Sequence, residues 1–508
     1  MKKQLPKNWG FLPFTEIFDI NGGTQPPKAV FIDEPKEGYI RLLQIRDFGK
    51  KPVPTYIPDT GKLMTCKKDD ILIARYGASI GRIVTGMEGS YNVALAKVSV
   101  PENMDKNFVK WLLKSNLFQE PILSIQRTAQ NGFNKTDLAS IYIPLPPLAE
   151  QNRIVAKLDT LFTQLETIKA SMAKVPLLLK DFRQQVLTQA VTGKLTEEFK
   201  YSNILNEIIE DKTNWYNSQL AYSLKNKSKK PRKQVTEFSG DKDYLKKFLV
   251  KKIDIAFLDE ISAKKENALK AGPFGSSLKK EFYVEKGYKI YGQEQVINDD
   301  PFYGNYYVNE EKFKELQSCE VEENDILVSL VGTIGKVLII PKDYQKGIIN
   351  PRLVKLSLHE KINPKFVKIF LQSLIVKDFL KENSHGGTMD VLNLGIIKSL
   401  PIPIPSHKEQ QEIVSRVESL FAKADAIEQQ YKLLKEKVDT LPQALLHKAF
   451  KGELTEQLDS DGDAKDLLKE IQKLKAGVSK VIKSKSITKN SKSYSENKEV
   501  LAMVAEPK

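Results

Sequence analysis

One stretch of this chain occurs twice, and that duplication limits the architecture more than any local motif does. Pro144–Glu197 aligns without a gap on Pro403–Glu456, an offset of 259, with 16 identities in 54 positions. Average residue usage would give about three by chance. The matches include Pro144/Pro403, Glu150/Glu409, Gln151/Gln410, Ile154/Ile413, Leu161-Phe162/Leu420-Phe421 and Gly193/Gly452. Upstream the likeness continues with small shifts. Asp70-Ile71-Leu72, Gly77 and Ile80-Gly81-Arg82 answer Asp325-Ile326-Leu327, Gly332 and Ile334-Gly335-Lys336, and Phe108-Val109-Lys110 answers Phe366-Val367-Lys368. A fixed offset of this kind marks a duplicated architecture.

Within each copy the apolar residues follow a period of 3.5. Ile154, Leu158, Leu161, Leu165, Ile168, Met172, Val175, Leu179, Phe182 and Val186 alternate at spacings of four and three. Ile413, Val417, Leu420, Ala424, Ile427, Tyr431, Leu434, Val438, Leu441 and Leu445 repeat the pattern. This is the seam of a coiled coil. Left in water, each seam residue would forgo about 1.5–3 kcal/mol, so the stripe needs a partner helix, and the nearest is the other copy. Pro176 and Pro442 each remove a helical hydrogen bond and predict a kink or break. Gly193 and Gly452 stand where a helix C-terminus favours glycine. An unbroken helix from Ile154 to Val186 would rise about 48 Å, the length of a spacer.

The remaining halves, residues 1–143 and about 246–402, carry short apolar runs such as Tyr39–Leu43, Ile71–Ala74 and Ile326–Leu330 between glycine turns. They read as mixed α/β domains. The predicted fold class is therefore α+β. Two mixed α/β domains are separated by two long helices that pair as an intramolecular coiled coil of repeated halves. The expected boundaries are 1–145, a helical spacer 146–215, a basic linker 216–245, 246–405, a second spacer 406–475 and a basic tail 476–508. Leu224–Lys233 carries six basic residues and no acid, and Ala476–Lys508 has seven lysines against three glutamates; both read as solvated connectors.

Lys plus Arg (79) exceed Asp plus Glu (64) by 15, which favours a polyanionic partner over an acidic small substrate. Two cysteines, Cys66 and Cys319, give neither a disulfide framework nor a Cys-rich metal site. His359, His385, His407 and His447 lack metal-ligand spacing, so no metal site is expected. Trp9, Pro6 and Pro13 interrupt the stretch where a secretory leader needs an apolar run, and no apolar window is long enough to span a membrane. A cytoplasmic location with no membrane contact is the expectation. Gly332-Thr333-Ile334-Gly335-Lys336 is too short for a phosphate-binding loop, and Asn363-Pro364-Lys365-Phe366 reads as a helix start. Asp69-Asp70 and Asn324-Asp325 recur at strand entries, not as paired catalytic carboxylates. No catalytic residue is assigned.

Three stretches resemble the specificity subunit of type I restriction-modification systems. They are Leu5-Pro6-Lys7-Asn8-Trp9 with Asn21–Pro26; Gly272–Lys279 leading into Tyr288–Ile297; and the duplicated Pro-x-Pro, Glu-Gln, Ile-Val and Gly-x-Leu-Thr-Glu series at 144–197 and 403–456. The resemblance covers about residues 5–475. It implies two target-recognition domains, each reading one half of a split asymmetric site in double-stranded DNA, held apart by an antiparallel intramolecular coiled coil with a pseudo-twofold repeat whose helices dock two modification subunits. Those partners would use S-adenosylmethionine to methylate adenine. Restriction subunits using ATP and Mg²⁺ would cut DNA at a distance, and this chain would bind no cofactor and be non-catalytic by itself. Half-site centres about one helical turn apart, roughly 10 base pairs, would suit two readers on one face of the duplex.

Base identity is read by forked or planar donors and acceptors, and phosphates are held by Lys and Arg. In the first domain the candidates are Gln44, Arg46, Arg75, Tyr76, Arg82, Asn92 and Asn131. In the second they are Ser276, Ser277, Lys279, Lys280, Tyr291, Gln293, Gln295, Lys336, Asn350, Arg352, His385 and Thr388. Each is polar, forked or basic beside a glycine turn or at a strand end. Two other readings compete: a single-chain restriction or methylation enzyme with fused recognition domains, and a coiled-coil structural protein. Missing catalytic motifs oppose the first, and the positive charge with two dissimilar α/β halves opposes the second.

Overall fold

The computed structural model describes residues 5–126, 132–231, 240–330, 336–383 and 393–476. The chain divides into two compact units that do not follow its linear order: Met1–Met172 with Leu433–Lys508, and Ala173–Lys432. Each unit therefore combines one copy's α/β half and helix start with the other copy's helix end.

The first unit contains β1 (Gly10–Pro13), β2 (Asp19–Gly22), β3 (Tyr39–Leu43), β4 (Tyr56–Pro58), β5 (Thr65–Cys66), β6 (Ile71–Ala74), β7 (Ile83–Val84), β8 (Gly89–Tyr91), β9 (Leu95–Ser99) and β10 (Tyr142–Leu145). The second contains β11 (Asp254–Ala256), β12 (Leu269–Ala271), β13 (Tyr288–Tyr291), β14 (Tyr307–Val308), β15 (Ile326–Ser329), β16 (Val337–Ile339), β17 (Gly347–Ile349), β18 (Leu353–Leu356) and β19 (Ile402–Ile404). The two halves share one plan although their sequences differ. The sheet β2-β9-β6-β7 matches β12-β18-β15-β16, and β4-β3-β8 matches β14-β13-β17, with β5 added at the edge in the first unit. Orientations agree too: β3 runs parallel to β8 and β13 parallel to β17. In both units the chain leaves the domain through an antiparallel pair, β1 with β10 and β11 with β19.

The recurring aspartates have a local cause. Asp70 accepts the Lys67 amide (3.0 Å) and Asp325 the Glu322 amide (2.8 Å), closing the turn before β6 and β15. Lys97 lies 3.3 Å from Asp70 and Lys355 3.9 Å from Asp325, each on the neighbouring strand. Burial opposes the charge on both carboxyls. For Asp325 burial wins and the pKa rises; for Asp70 the Lys67 amide, Lys97 and Lys106 outweigh it and the pKa falls.

The helices are Leu148–Met172, Val175–Val191 and His407–Phe450. The break expected at Pro176 is present: the first helix stops at Met172, and Pro176 sits in the opening turn of the next. Pro442 does not break its helix, which continues to Phe450. Gly193 (φ 80°) and Gly452 (φ 70°) adopt the left-handed conformation that ends a helix. Within the second unit the pairing is antiparallel. Arg183 reaches Asp425 (2.6 Å) and Glu428 (2.9 Å), while Arg416 reaches Glu198 and the Leu195 carbonyl. In the first unit Ile154 and Leu158 share a core with Leu446, Ala449 and Phe450, and Phe108 meets Phe450 edge-on at 5.5 Å.

The seam is not uniformly dry. Ile154, Leu158, Leu165 and Val438 are buried in the first unit, and Leu179, Val186, Ile413, Val417 and Ala424 in the second. Ile168, Leu434 and Leu441 in the first, and Phe182 and Ile427 in the second, are exposed. The ten-rung ladder is thus corrected to one in which several rungs face solvent.

The duplication also extends past the aligned block. Helix Ile204–Lys225 packs Leu205 and Ile208 on the second unit's core; the helical residues 464–476 pack Ala464 and Leu467 on the first, each 259 residues on. The helix runs through residues 216–225, so the expected basic linker 216–245 begins as helix.

In the first unit Arg153 donates to both oxygens of Asp461 at 2.6 Å. The Arg153 hydrogen bond holds the almost fully buried Asp461 carboxyl below the usual carboxylate range. A group depressed in the folded state contributes stability above its unfolded pKa and loses it as pH falls through the folded one. Stability measured by urea unfolding should therefore drop as pH is lowered below about 4, the ordinary Asp value. Asp461→Asn should remove part of that slope, and an unchanged slope would contradict the assignment.

Candidate nucleic-acid interface

Two repeat-related junctions hold the ends of the copies together. In the first unit Glu150, fully buried, accepts the Trp9 indole N–H (2.7 Å), the Thr455 hydroxyl (3.1 Å) and the Gln457 amide (2.6 Å). In the second, Glu409 accepts the Thr196 hydroxyl (2.6 Å) and pairs with Lys251 (2.7 Å). Thr196 and Thr455 are 259 apart, as are the two glutamates. Each copy's Glu is therefore met by the other copy's Gly-x-Leu-Thr. Gln151 and Gln410 complete the junctions: each donates 2.9 Å to the carbonyl of a preceding proline, Pro146 or Pro405, and accepts the amide of Asp105 or Asn363. Asn363 caps the helix Pro364–Leu371, so the helix-start reading of Asn363–Phe366 holds.

Within each unit the strand ends bring several of the candidate residues together. In the first unit the Asn92 amide donates to the Leu43 carbonyl (3.1 Å), and in the second the Asn350 amide donates to the Tyr291 carbonyl (2.9 Å). Asn92 and Asn350 thus occupy one position of the plan. Gly23 and Gly272 do likewise: a Cβ on either would overlap the carbonyl oxygen of Asn92 or Asn350. Arg75 follows β6, donates to the Phe133 carbonyl (3.3 Å) and lies 5.2 Å from the exposed Tyr76 ring. Arg82 donates to the Phe48 carbonyl (2.6 Å) and Arg46 to Thr55 (3.2 Å). A guanidinium has five N–H donors, so each arginine is fixed by a single contact group and keeps donors for a ligand. Gln44 and Asn92 are half-buried, with the Gln44 Nε2 and Asn92 Oδ1 atoms buried and without a protein partner.

In the second unit Gln293 donates to the fully buried Ser329 hydroxyl (2.9 Å) and accepts from the exposed Arg352 (3.2 Å). The Asn350 side chain accepts the Arg352 amide at 2.9 Å. Lys336 is exposed at the position matching Arg82: the Ser329 amide meets its carbonyl as the Ala74 amide meets that of Arg82. Ser276, Lys279 and Lys280 are exposed and Ser277 half-buried on the loop after β12. Two candidates fail on placement. Tyr291 is fully buried, with its hydroxyl on the Gln345 carbonyl (2.6 Å), because its parallel strand is covered on both faces. Gln295 is buried, accepting the Gly292 amide (2.8 Å) and donating to the Tyr303 carbonyl (2.7 Å). It closes a helix start and presents nothing to solvent. Asn131, His385 and Thr388 lie outside the described residues.

Sequence spacing missed Ser329, whose partner Gln293 is 36 residues away. It also missed one acidic and histidine group in the second unit. Asp211, His359 and Glu360 place their ligand atoms within 4.8 Å of one another. Lys264 reaches Asp211 (2.8 Å) and Glu360 (3.1 Å), so the cluster already has its cation.

The family model described as the type I restriction modification DNA specificity domain matches residues 6–176 and 274–436. The chain is 29% identical over 465 residues to the type I restriction enzyme EcoBI specificity subunit of Escherichia coli, covering 89% of this chain and 87% of that one. It is 27% identical over 481 residues to the EcoKI specificity subunit of Escherichia coli strain K12, covering 89% and 91%. Among solved structures, the HsdS subunit from Thermoanaerobacter tengcongensis shares the fold, with a TM-score of 0.55 at 15% identity, over 89% of this chain and 99% of that one. A chain from a type I R-M system complex gives 0.56 at 16%, over 89% and 100%. With the matched regions covering well over half of its residues, the chain belongs to the type I restriction-modification DNA specificity family.

Proposed function

We propose that this chain reads a split asymmetric site in double-stranded DNA, one half-site per unit, and scaffolds a type I modification and restriction complex in the cytoplasm. The observation that carries the reading is the matched pair of sheet ends. Arg46, Arg75, Tyr76 and Arg82 gather at one, and Gln293, Lys336 and Arg352 at the other, on one strand plan with different side chains. Shared scaffold with divergent tips is what two readers of different base sequences require. Two modification subunits would dock on the helices, where exposed apolar residues remain in each unit: Ile168 and Leu434 in the first, Leu177 and Phe182 in the second. S-adenosylmethionine, ATP and Mg²⁺ would belong to those partners and to the restriction subunits, with this chain contributing specificity and no chemistry.

The test is reconstitution. The purified chain with S-adenosylmethionine and Mg²⁺ should neither methylate nor cut DNA, and adding the modification subunit should produce adenine methylation at one bipartite motif. Methylation or cleavage by the chain alone would overturn the reading in favour of a single-chain enzyme.

A further inference from the structure

The loop after β12 carries an aromatic ring that the fold leaves in water. Phe274 is 86% exposed, the most exposed large apolar side chain among the described residues. Its surroundings are not loose. Two residues earlier, Gly272 donates its amide to the Leu353 carbonyl (2.9 Å) and presses against the Asn350 carbonyl so closely that no Cβ fits. Two residues of extended chain span about 7 Å at most, so Phe274 stands beside the Asn350–Arg352 turn and its Gln293–Ser329 network. Serines and lysines flank it at 276, 277, 279 and 280.

The first unit has a counterpart. Gly23 donates its amide to the Leu95 carbonyl (3.1 Å) and presses on the Asn92 carbonyl as Gly272 presses on that of Asn350. Two residues on stands Gln25, also exposed. One pinned position therefore presents a forked amide in one unit and a phenyl ring in the other. A forked amide suits the hydrogen-bonding edge of adenine, while a phenyl ring suits a thymine methyl or a base step. A solvent-facing Phe on an anchored turn gains nothing in the free protein, since burying it would release about 1.5–3 kcal/mol.

We infer that Gln25 and Phe274, at the equivalent loop tips following Gly23 and Gly272, each contact a base in the half-site read by their own unit. This rests on the DNA-reading function proposed above. Once methylation mapping has defined the motif, four duplexes separate the outcomes: the intact motif, each half scrambled, and both scrambled. Binding is measured for the full-length chain in complex with its modification subunit. Phe274→Ala should weaken the intact-motif duplex about tenfold or more, the effect of losing one base contact. The doubly scrambled duplex should bind as before, and the salt slope should be unchanged because no phosphate contact is lost. The penalty for scrambling its own half-site should shrink by the same factor, while the penalty for scrambling the other half stays as in wild type. Gln25→Ala should do the same for the other half.

Equal binding of the intact motif by wild type and both variants would overturn the inference. So would an equal loss on all four duplexes, or loss of the modification subunit from the complex with motif binding intact, which would make Phe274 a protein contact. Phe274→Leu, which keeps an apolar tip, should fall between wild type and Ala and guards against a folding artefact. If the wild-type complex does not distinguish the intact motif from the scrambled duplex, the DNA-reading function fails first, and the inference with it.

Discussion

Replacing Glu150 with alanine is expected to destabilise the first unit by about 3 kcal/mol or more, because it removes the shared acceptor of three hydrogen bonds. Its carboxylate is fully buried and receives the Trp9 indole, the Thr455 hydroxyl and the Gln457 amide. Each bond to a charged acceptor contributes about 1.5–3 kcal/mol, and the donors left behind become unpaired. Three donors from two distant parts of the chain would then lose their common anchor. The effect should be local before it is global: residues 452–476 should become protease-sensitive at urea concentrations where the second unit is still intact. Glu150→Gln retains an acceptor and should cost less. A loss below about 1 kcal/mol for the alanine variant, the value of an exposed pair, would mean that the junction does not hold the unit together.

Gly272→Ala is the second large effect. The added carbon would overlap the Asn350 carbonyl oxygen, which is backbone and cannot rotate away, so β12 or the 350–352 turn must move. Overpacking of this kind costs about 1–3 kcal/mol. The displaced turn carries Arg352 and, through it, Gln293, so sequence discrimination in that half-site should fall by more than stability does. Gly275→Ala is the matched control: nothing lies within 4 Å of its Cβ, and the change should stay within about 0.5 kcal/mol. Similar losses of motif binding for both substitutions would contradict the assigned role of Gly272.

Much of this architecture was legible in the sequence because the features concerned depend on local pattern. The 3.5-residue period foretold the paired helices. The glycines at 193 and 452 foretold the helix ends. The repeated Asp70 and Asp325 foretold strand entries. What pattern cannot supply is the choice between equivalent partners. Thr196 could have closed on Glu150 of its own copy; it closes on Glu409, and the compact units cut across the linear order as a result. The common strand plan of the α/β halves was hidden for a related reason. Backbone pairing and packed glycines specify that plan, and the tip residues are free to differ. Among the candidate readers, the arginines stay at or near the surface because a long basic side chain beside a turn seldom has room inside. Tyr291 and Gln295 were misplaced because a polar residue next to a strand end can equally satisfy the backbone. The Gln three residues into a helix, after Gly292, was the available signal for the inward role.

The two junctions also explain why the units can diverge independently. Trp9 in one and Lys251 in the other fill the same place beside Glu150 and Glu409. A reader can therefore be replaced provided it brings a donor there.

The most direct test of the whole account is to exchange residues 1–143 for the corresponding segment of another family member and to map methylated adenines in cells that also carry the modification subunit. Two units that each read one half-site predict a bipartite motif in which only one half changes and the spacing is kept. A motif that changes in both halves, or that does not change at all while the complex still assembles and methylates, would contradict it.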